Sequence, residues 1–402
     1  MFECRPVAGC LITDQPVHTV LRFGQHSYAD TFVPADQLHR SEPVFPLEVA
    51  VCESTGMVQL AWCSDARQRY NLYSYSYTSS NSRTARDHWD EYARTIKNRV
   101  PNPRLVLEIG SNDGYLIAQF LQPGRKCIGI DPSVEMCQLA EQRGLETRAQ
   151  LFDLDLAGSL GRADLVMANN VFNHANDPVN FARAVCQVLA DDGLFVFEVP
   201  YWAIMMQSGR FPDMVYHEHP CYFTVKGLWN LLDAAGLEIQ DFEIVDYHGG
   251  SLRVYAGKKR SGQMPDRVSQ AIQQETAQGL YSVEFYQNQQ RVYEQSRTRW
   301  LTDFWRLRDQ DPDAVIIGVG AAAKANTWLR WHGLDGTMIN WVTDSSQYKQ
   351  GKYTPLTRIP IAGDDVFARY PSAHALILSW NIGAGLKQAI LNINPQTRFL
   401  SQ

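Results

Sequence analysis

The run Tyr216-His217-Glu218-His219, followed by Tyr222-Phe223, places titratable side chains next to one another among aromatics. Such groups are costly to bury unless something uses them. In an extended run, His217 and His219 would point one way and Tyr216 and Glu218 the other. Three roles fit these residue types. A histidine can serve as general acid or base near neutral pH. An H-x-H pair can ligate a metal, although zinc needs further ligands and none stands nearby in the sequence. The third role is a structural histidine, hydrogen-bonded in a core.

A second constellation is Glu108-Ile109-Gly110-Ser111-Asn112-Asp113-Gly114. The apolar run from Leu105 to Ile109 predicts a buried strand, with a helix starting near Tyr115. Glycines between them let the backbone turn tightly and approach a ligand closely. Their spacing is G-x-x-x-G, not the dinucleotide G-x-G-x-x-G. Glu108 at the strand end suits the amino group of a cationic donor. Asp131, at the end of the next strand, can accept both hydroxyls of a ribose. Further on, Gly318-x-Gly320 follows another predicted strand, and Lys324 stands in the helix after it. Helix amides and a lysine suit a diphosphate. Such a turn can also hold NAD, but Ala323 occupies the place of the third glycine.

These groups need a scaffold, and 402 residues allow two or three domains. An apolar fraction of 45% and a charged fraction of 20% are ordinary for a soluble protein. A net charge of −6 and a pI near 5.9 argue against a general nucleic-acid binder. The N-terminus lacks a signal-peptide pattern, and no apolar stretch approaches the roughly 20 residues that span a bilayer. The expectation is a cytoplasmic protein without membrane contact. Eight cysteines in such a chain point to free thiols or a metal site rather than a disulfide framework.

Five segments separate on pattern. Residues 1–75 read as short strands around Phe45, Leu47, Val49, Val58 and Leu60, with one strand over 57–62. Residues 76–100 read as a helical linker contributing to the active site. Residues 101–258 alternate apolar strands with amphipathic helices, which predicts an α/β unit with a mostly parallel sheet. Residues 259–310 read as one connecting helix, about 266–308, burying Tyr281, Phe285, Val292 and Leu301. Residues 311–402 form a last α/β unit.

Several of these motifs together resemble the nucleotide-sugar C-methyltransferases of branched deoxysugar biosynthesis. The resemblance rests on Tyr75-Ser76-Tyr77-Thr78-Ser79-Ser80, Tyr216 to His219 with Tyr222-Phe223, and His248-Gly249-Gly250-Ser251-Leu252-Arg253. It continues through Gly318 to Thr327, Asp344, Lys349 to Tyr353 and Ser379-Trp380-Asn381, and so spans nearly the whole chain. It implies a class I methyltransferase Rossmann-like domain, flanked by a zinc-knuckle-like N-terminal domain and a Rossmann-like C-terminal domain that binds the nucleotide sugar. The implied donor is S-adenosylmethionine, held by Glu108, Gly110, Asn112, Gly114 and Asp131, with Gln150, Leu151 and Phe152 at the adenine and Asn169 and Asn170 at the mouth of the fourth strand. The implied acceptor is a nucleoside-diphosphate 4-keto-6-deoxysugar, methylated at C3.

By analogy His219 is the base, supported by Glu218 or Tyr216, with His217 or a tyrosine next in line. Tyr75 or Tyr77 would donate to the oxyanion at C4. Ser79, Ser251, Arg253, Gly320, Ala321, Lys324, Asn326, Asp344, Lys349 and Lys352 are the expected substrate contacts. The family also opens with a zinc knuckle of two C-x-x-C pairs, and here the sequence departs. Cys4 and Cys10 stand where the first pair belongs, with five residues between them, and Thr55 replaces the partner of Cys52. A small-molecule O- or N-methyltransferase would share the donor site without needing a carbon base. An NAD-linked oxidoreductase and a non-catalytic nucleotide-sugar binder are the remaining alternatives.

Overall fold

The computed structural model describes residues 4–65, 69, 78–80, 82–212 and 214–400. The chain opens with β1 (Cys4–Pro6), β2 (His18–His26), β3 (Val33–Pro34), β4 (Phe45–Val51), β5 (Val58–Leu60) and β6 (Trp62–Ser64). The central strands are β7 (Leu105–Ile109), β8 (Lys126–Ile130), β9 (Glu146–Arg148), β10 (Ala163–Met167) and β11 (Leu189–Pro200). After β12 (Cys221–Tyr222) come β13 (Leu237–Val245) and β14 (Ser251–Lys258).

The apolar runs of β7, β8 and β10 are buried, as parallel strands covered on both faces must be. Across the central sheet the order is β13-β14-β11-β10-β7-β8-β9. From β9 to β11 neighbouring strands are parallel, while β14 is antiparallel to both β11 and β13. This is the class I methyltransferase sheet. Ligands of such sheets bind beyond the carboxyl ends of the strands where the winding reverses, which here is between β7 and β10.

The expected N-terminal core forms, with Phe45, Leu47, Val49, Val58 and Leu60 all buried. The strand expected over 57–62 breaks at Ala61, and its second half, β6, pairs with β1 instead. Nor is the first unit self-contained. Its sheet has the order β12-β5-β4-β2, so the strand directly after the Tyr216–His219 run belongs to it. Leu60 N also donates to Pro220 O at 2.9 Å.

The last unit is a parallel sheet of β15 (Ile316–Val319), β16 (Trp341–Thr343), β18 (Ile361–Ala362), β19 (His374–Ile377) and β20 (Arg398–Leu400). The short β17 (Lys352–Tyr353) leaves it to pair with β3, tying the C-terminal unit to the N-terminal one.

Two helical expectations meet different outcomes. The linker forms a helix at Arg83–Arg99, capped by Ser82 Oγ accepting from Ala85 N. The connecting helix is two helices, Asp266–Ala277 and Val283–Gln310, broken near Gly279 at φ 78°. In the second helix Tyr286, Tyr293 and Phe304 are buried, while Val292 is 40% exposed. The apolar face therefore lies one position on from Phe285 and Val292. Among the described residues no helix is long and apolar enough to cross a membrane.

Candidate active site

The loop after β7 is shaped so that only glycine fits two of its positions. Gly110 and Gly114 have φ of 68° and 74°, and Asn112 between them has φ of 51°. A Cβ on Gly110 would stand 2.1 Å from Val171 Cγ2, and one on Gly114 2.4 Å from Leu145 Cδ1. Asp131 braces the loop, Oδ2 accepting from Asn112 N and Oδ1 from Ser133 N, both at 2.9 Å. Each carboxylate oxygen has a further lone pair for a ligand hydroxyl.

Glu108 Oε2 accepts from Ile117 N at 3.1 Å. Burial, followed by the nearby Asp113 and Asp131, holds its carboxyl well above the usual range. Asp113 is paired with Arg143 at 3.2 Å, whereas the buried Glu108 and Asp131 would be relieved by the ammonium of a cationic donor. Asn170 Oδ1 and both amide atoms of Asn173 are buried without a hydrogen-bond partner among the described residues. These unsatisfied groups and the glycine cradle fit S-adenosylmethionine. Asn169 Oδ1 accepts from Glu198 N at 3.0 Å. Gln150 and Leu151 are exposed beyond β9, and Phe152 packs edge-on against Phe181.

The Tyr216–His219 run is a turn rather than an extended strand, with His219 N donating to Tyr216 O at 2.9 Å. This overturns the expected alternation. The Tyr216 and His219 rings come together at 4.0 Å, while His217 packs edge-on against Phe45 and Tyr28. His219 is 4% exposed, and its Nδ1 lies 3.0 Å from Met214 O. A carbonyl oxygen only accepts, so Nδ1 carries the proton and Nε2 is the basic nitrogen. Burial, then the neighbouring His174, holds its pKa well below the usual histidine value. Burial likewise lowers His217 to about 3.

His174 is a site residue that the sequence did not single out. It ends the short turn Phe172–His174 beyond β10, and its ring stands 4.6 Å from that of His219. Its Nδ1 is 2.7 Å from Glu218 O, which fixes the same tautomer. Burial, then Arg69, lowers its pKa to about 4. Arg69 staples the two loops, with Nη1 donating to His217 O at 3.2 Å and Nη2 to His174 O at 3.1 Å. Glu218 Oε1 accepts from Asp30 N at 3.0 Å, and burial raises its carboxyl to about 7. Tyr75 and Tyr77 lie outside the described residues.

Several expected substrate contacts do other work. Ser79 braces the donor loop, its amide donating to Asn112 Oδ1 at 2.8 Å and its hydroxyl to Asp113 Oδ1 at 2.6 Å. Arg253 is 1% exposed, with Nε on Glu198 (2.6 Å), Nη1 on Glu243 (3.3 Å) and Nη2 on Glu91 (3.1 Å). Glu198 and Glu243 face it in register from the two neighbouring strands, so its guanidinium is held inside the protein rather than offered to a diphosphate. Ser251 is fully buried and donates to Tyr247 O at 3.0 Å.

In the C-terminal unit, Gly320 (φ 98°) packs against Ser379. Ala321 N and Ser346 N donate to the two oxygens of Asp344 at 3.0 and 2.9 Å, the pattern Asp131 makes with the first glycine loop. Lys349 is turned onto the same loop, 2.9 Å from Ala321 O, and Asn326 Nδ2 donates to Ala29 O at 2.6 Å. Lys352 lies over the Tyr348 ring. Lys324 lies over Trp380 and bonds Asn381 Oδ1.

The thiols do not form the implied zinc site. Cys4 pairs across β1 and β6 with Ser64, next to Cys63, whereas Cys10 lies elsewhere with Sγ 3.2 Å from Thr55 Oγ1. Among the described residues no three His, Cys, Asp or Glu side chains converge to hold a metal, and residues 66–77 contain no cysteine or histidine. Zinc bound by thiolates needs four donors, and a threonine hydroxyl stands in place of one. The residues do not fit the metal.

Three family models match in succession. They are described as "Putative zinc binding domain" over residues 10–70, "Methyltransferase domain" over 82–241 and "C-methyltransferase C-terminal domain" over 246–398. The C-methyltransferase NovU of Streptomyces niveus is 29% identical over 369 residues, 90% of this chain and 87% of that protein. An uncharacterized methyltransferase of Mycobacterium sp. (strain JLS) is 27% identical over 106 residues, 26% of this chain and 41% of that protein. The solved Burkholderia thailandensis 1,6-didemethyltoxoflavin-N1-methyltransferase superposes with a TM-score of 0.34 and 21% identity, covering 44% of this chain and 80% of that one. With the methyltransferase sheet, the glycine cradle, the three family models in order along its length and the NovU relative, the chain is an S-adenosylmethionine-dependent C-methyltransferase.

Proposed function

We propose that the enzyme methylates C3 of a nucleoside-diphosphate 4-keto-6-deoxysugar, with His219 as the base. The observation that carries this reading is the His219 imidazole itself, buried, neutral, and fixed through Nδ1 so that Nε2 is the basic nitrogen. Methylation at a carbon beside a ketone requires a base that removes the C–H proton, and a buried neutral imidazole can serve as one. The ketone at C4 acidifies the C3 proton. Nε2 of His219 takes that proton, and the electron pair moves toward the C4 oxygen to give an enolate. Tyr75 or Tyr77 donates to the oxyanion. When bound, S-adenosylmethionine supplies an electrophilic sulfonium methyl for the C3 carbon.

The protein holds the base in place and keeps water from it. Met214 O orients the ring, Arg69 fixes the two loops that carry His217 and His174, and β12 anchors the run into the N-terminal sheet. A base positioned in this way contributes about 10²–10⁴-fold. Incubating dTDP- and GDP-linked 4-keto-6-deoxysugars in D₂O tests the reading by following hydrogen exchange at C3. His219→Gln is expected to abolish exchange and methyl transfer while leaving donor affinity intact. Exchange at the wild-type rate in that variant removes His219 as the base.

A further inference from the structure

The proposed base is oriented by a single carbonyl, and that carbonyl follows an aromatic anchor three residues earlier. Met214 O lies 3.0 Å from His219 Nδ1 and so decides which imidazole nitrogen is basic. Residues 207–210 are exposed, and the chain turns back into the protein at the half-buried Phe211 and the buried Pro212.

The Phe211 ring meets side chains from three parts of the molecule. Its centre is 5.1 Å from Phe23 on β2, edge-on, and 6.4 Å from Tyr293 on the helix Val283–Gln310. It stacks on Trp331 of the helix Ala323–His332, at 5.8 Å and 22°. Phe23, Tyr293 and Trp331 are themselves buried. The ring thus packs against the core shared by the first two units and against the C-terminal core as well. Aromatic pairs at such separations contribute beyond the area they bury, and three of them converging on one ring fix its place.

The connection from this ring to Met214 is short and stiff. Proline locks its own φ and holds the residue before it in extended backbone, here Phe211. Val215 N donates to Pro212 O at 3.0 Å, closing a turn, and the Val215 side chain is fully buried. Met214 is therefore bracketed by two anchored side chains. A shift of Phe211 passes to Met214 O and from there to the His219 ring. Misplacing a reacting group by about 1 Å can cost about 10²-fold in rate.

We infer that Phe211 is a positioning residue for the base, seating Met214 O, and through it His219, where the three units close on one another. This rests on the reading of His219 as the base. Trp331 stands on the helix that follows the Gly318-x-Gly320 turn, so the C-terminal unit takes part in aligning a base carried by the middle of the chain.

The test follows hydrogen exchange at C3 of 4-keto-6-deoxysugar nucleotides in D₂O for Phe211→Ala, Phe211→Leu and Trp331→Leu. Donor affinity is the control for folding, and if Phe211→Ala does not bind donor the other two variants decide. Phe304→Leu, in the C-terminal core with its ring stacked on Trp300, is the control for general loosening. The three test variants are expected to lower exchange and kcat by about tenfold or more, with donor affinity and acceptor KM little changed. Phe211→Tyr, which keeps the ring, should retain most of the rate, and Phe304→Leu should melt earlier yet exchange as the wild type does. In ¹⁵N-histidine spectra, the Nδ1–H signal that His219→Gln removes should weaken in Phe211→Ala or Phe211→Leu. Exchange at the wild-type rate in the Phe211 variants, or an equal slowing in Phe304→Leu, overturns the inference and leaves His219 as the base. Exchange at the wild-type rate in His219→Gln removes the base, and the inference with it.

Discussion

His174 and His219 meet edge to face, 4.6 Å between ring centres at 78°, each with Nδ1 bonded to a backbone carbonyl. Both imidazoles thereby carry a proton on Nδ1, burial keeps them neutral, and each lowers the proton affinity of its surroundings if it becomes charged. A proton received by one can be shared with, or repelled by, the other. His174→Gln is expected to slow C3 exchange by about 10²-fold, the lower end for a proton-transfer group, without weakening donor binding. In the wild type, kcat/KM should show no break at the usual histidine pKa, because the base stays neutral well below it. A break near 6.5 in the wild-type profile that persists in His174→Gln would contradict this environment for His219.

His217 offers a separate pH test. Burial lowers its pKa from 6.5 to about 3, so the folded protein holds it neutral while the unfolded chain protonates it below 6.5. The unfolded state then binds more protons, and stability falls as pH drops from 6.5 toward 3. His217→Phe removes this term and keeps a ring against Phe45 and Tyr28. Its stability relative to wild type should improve by about 2 kcal/mol between pH 7.5 and pH 5, an upper figure for full burial. Denaturant midpoints at the two pH values measure it, and a constant difference would count against a buried neutral imidazole.

The donor site was legible because its signals are local. Glu108, Gly110 and Asp131 sit at strand ends, Gly114 caps the helix after the first of them, and a strand end is visible from an apolar run. The acceptor site was legible in its residue types but not in its geometry. The 216–219 turn contains no glycine, proline or asparagine, so nothing local marks it, and its alternation was misread. His174 lies 45 residues before His219 and meets it only through the fold. Its one signal was the polar run Asn169-Asn170-Val171-Phe172-Asn173-His174 leaving a buried strand. The ion-pair partners of Arg253 were not legible, because β14 inserts between β11 and β13, a register that no short stretch of sequence reveals.

The N-terminal unit should be stable without metal. Cys10 Sγ contacts Thr55 Oγ1, which in turn accepts from Met57 N at 3.2 Å, so a hydroxyl closes the turn where a second thiolate would have bound. Purified enzyme is expected to carry far less than one zinc per chain by elemental analysis, and EDTA should leave its melting temperature unchanged. Thr55→Val, which keeps the shape and loses the hydroxyl, should destabilise by about 1 kcal/mol. Stoichiometric zinc, or unfolding by chelator, would show that the metal has ligands beyond these.

Arg253 tests whether the buried network beneath the donor site is structural. Glu198 is fully buried and places one oxygen on Arg253 Nε and the other 2.7 Å from His88 Nε2. Its backbone N–H holds Asn169, and its carbonyl accepts from Asn170 N at 2.8 Å, so the network supports the mouth of β10. Removing one member of a buried ion pair strands the other, at a cost of about 3–5 kcal/mol. Arg253→Met should therefore lower the melting temperature sharply. Adding Glu198→Gln should recover part of the loss, because the stranded charge is gone. A residue that touched the diphosphate would behave differently, raising KM for the nucleotide sugar with little change in melting. Thermal melts and KM measured on Arg253→Met, Glu198→Gln and the double variant separate the two roles, and an unchanged melting temperature with a raised KM would return Arg253 to the substrate.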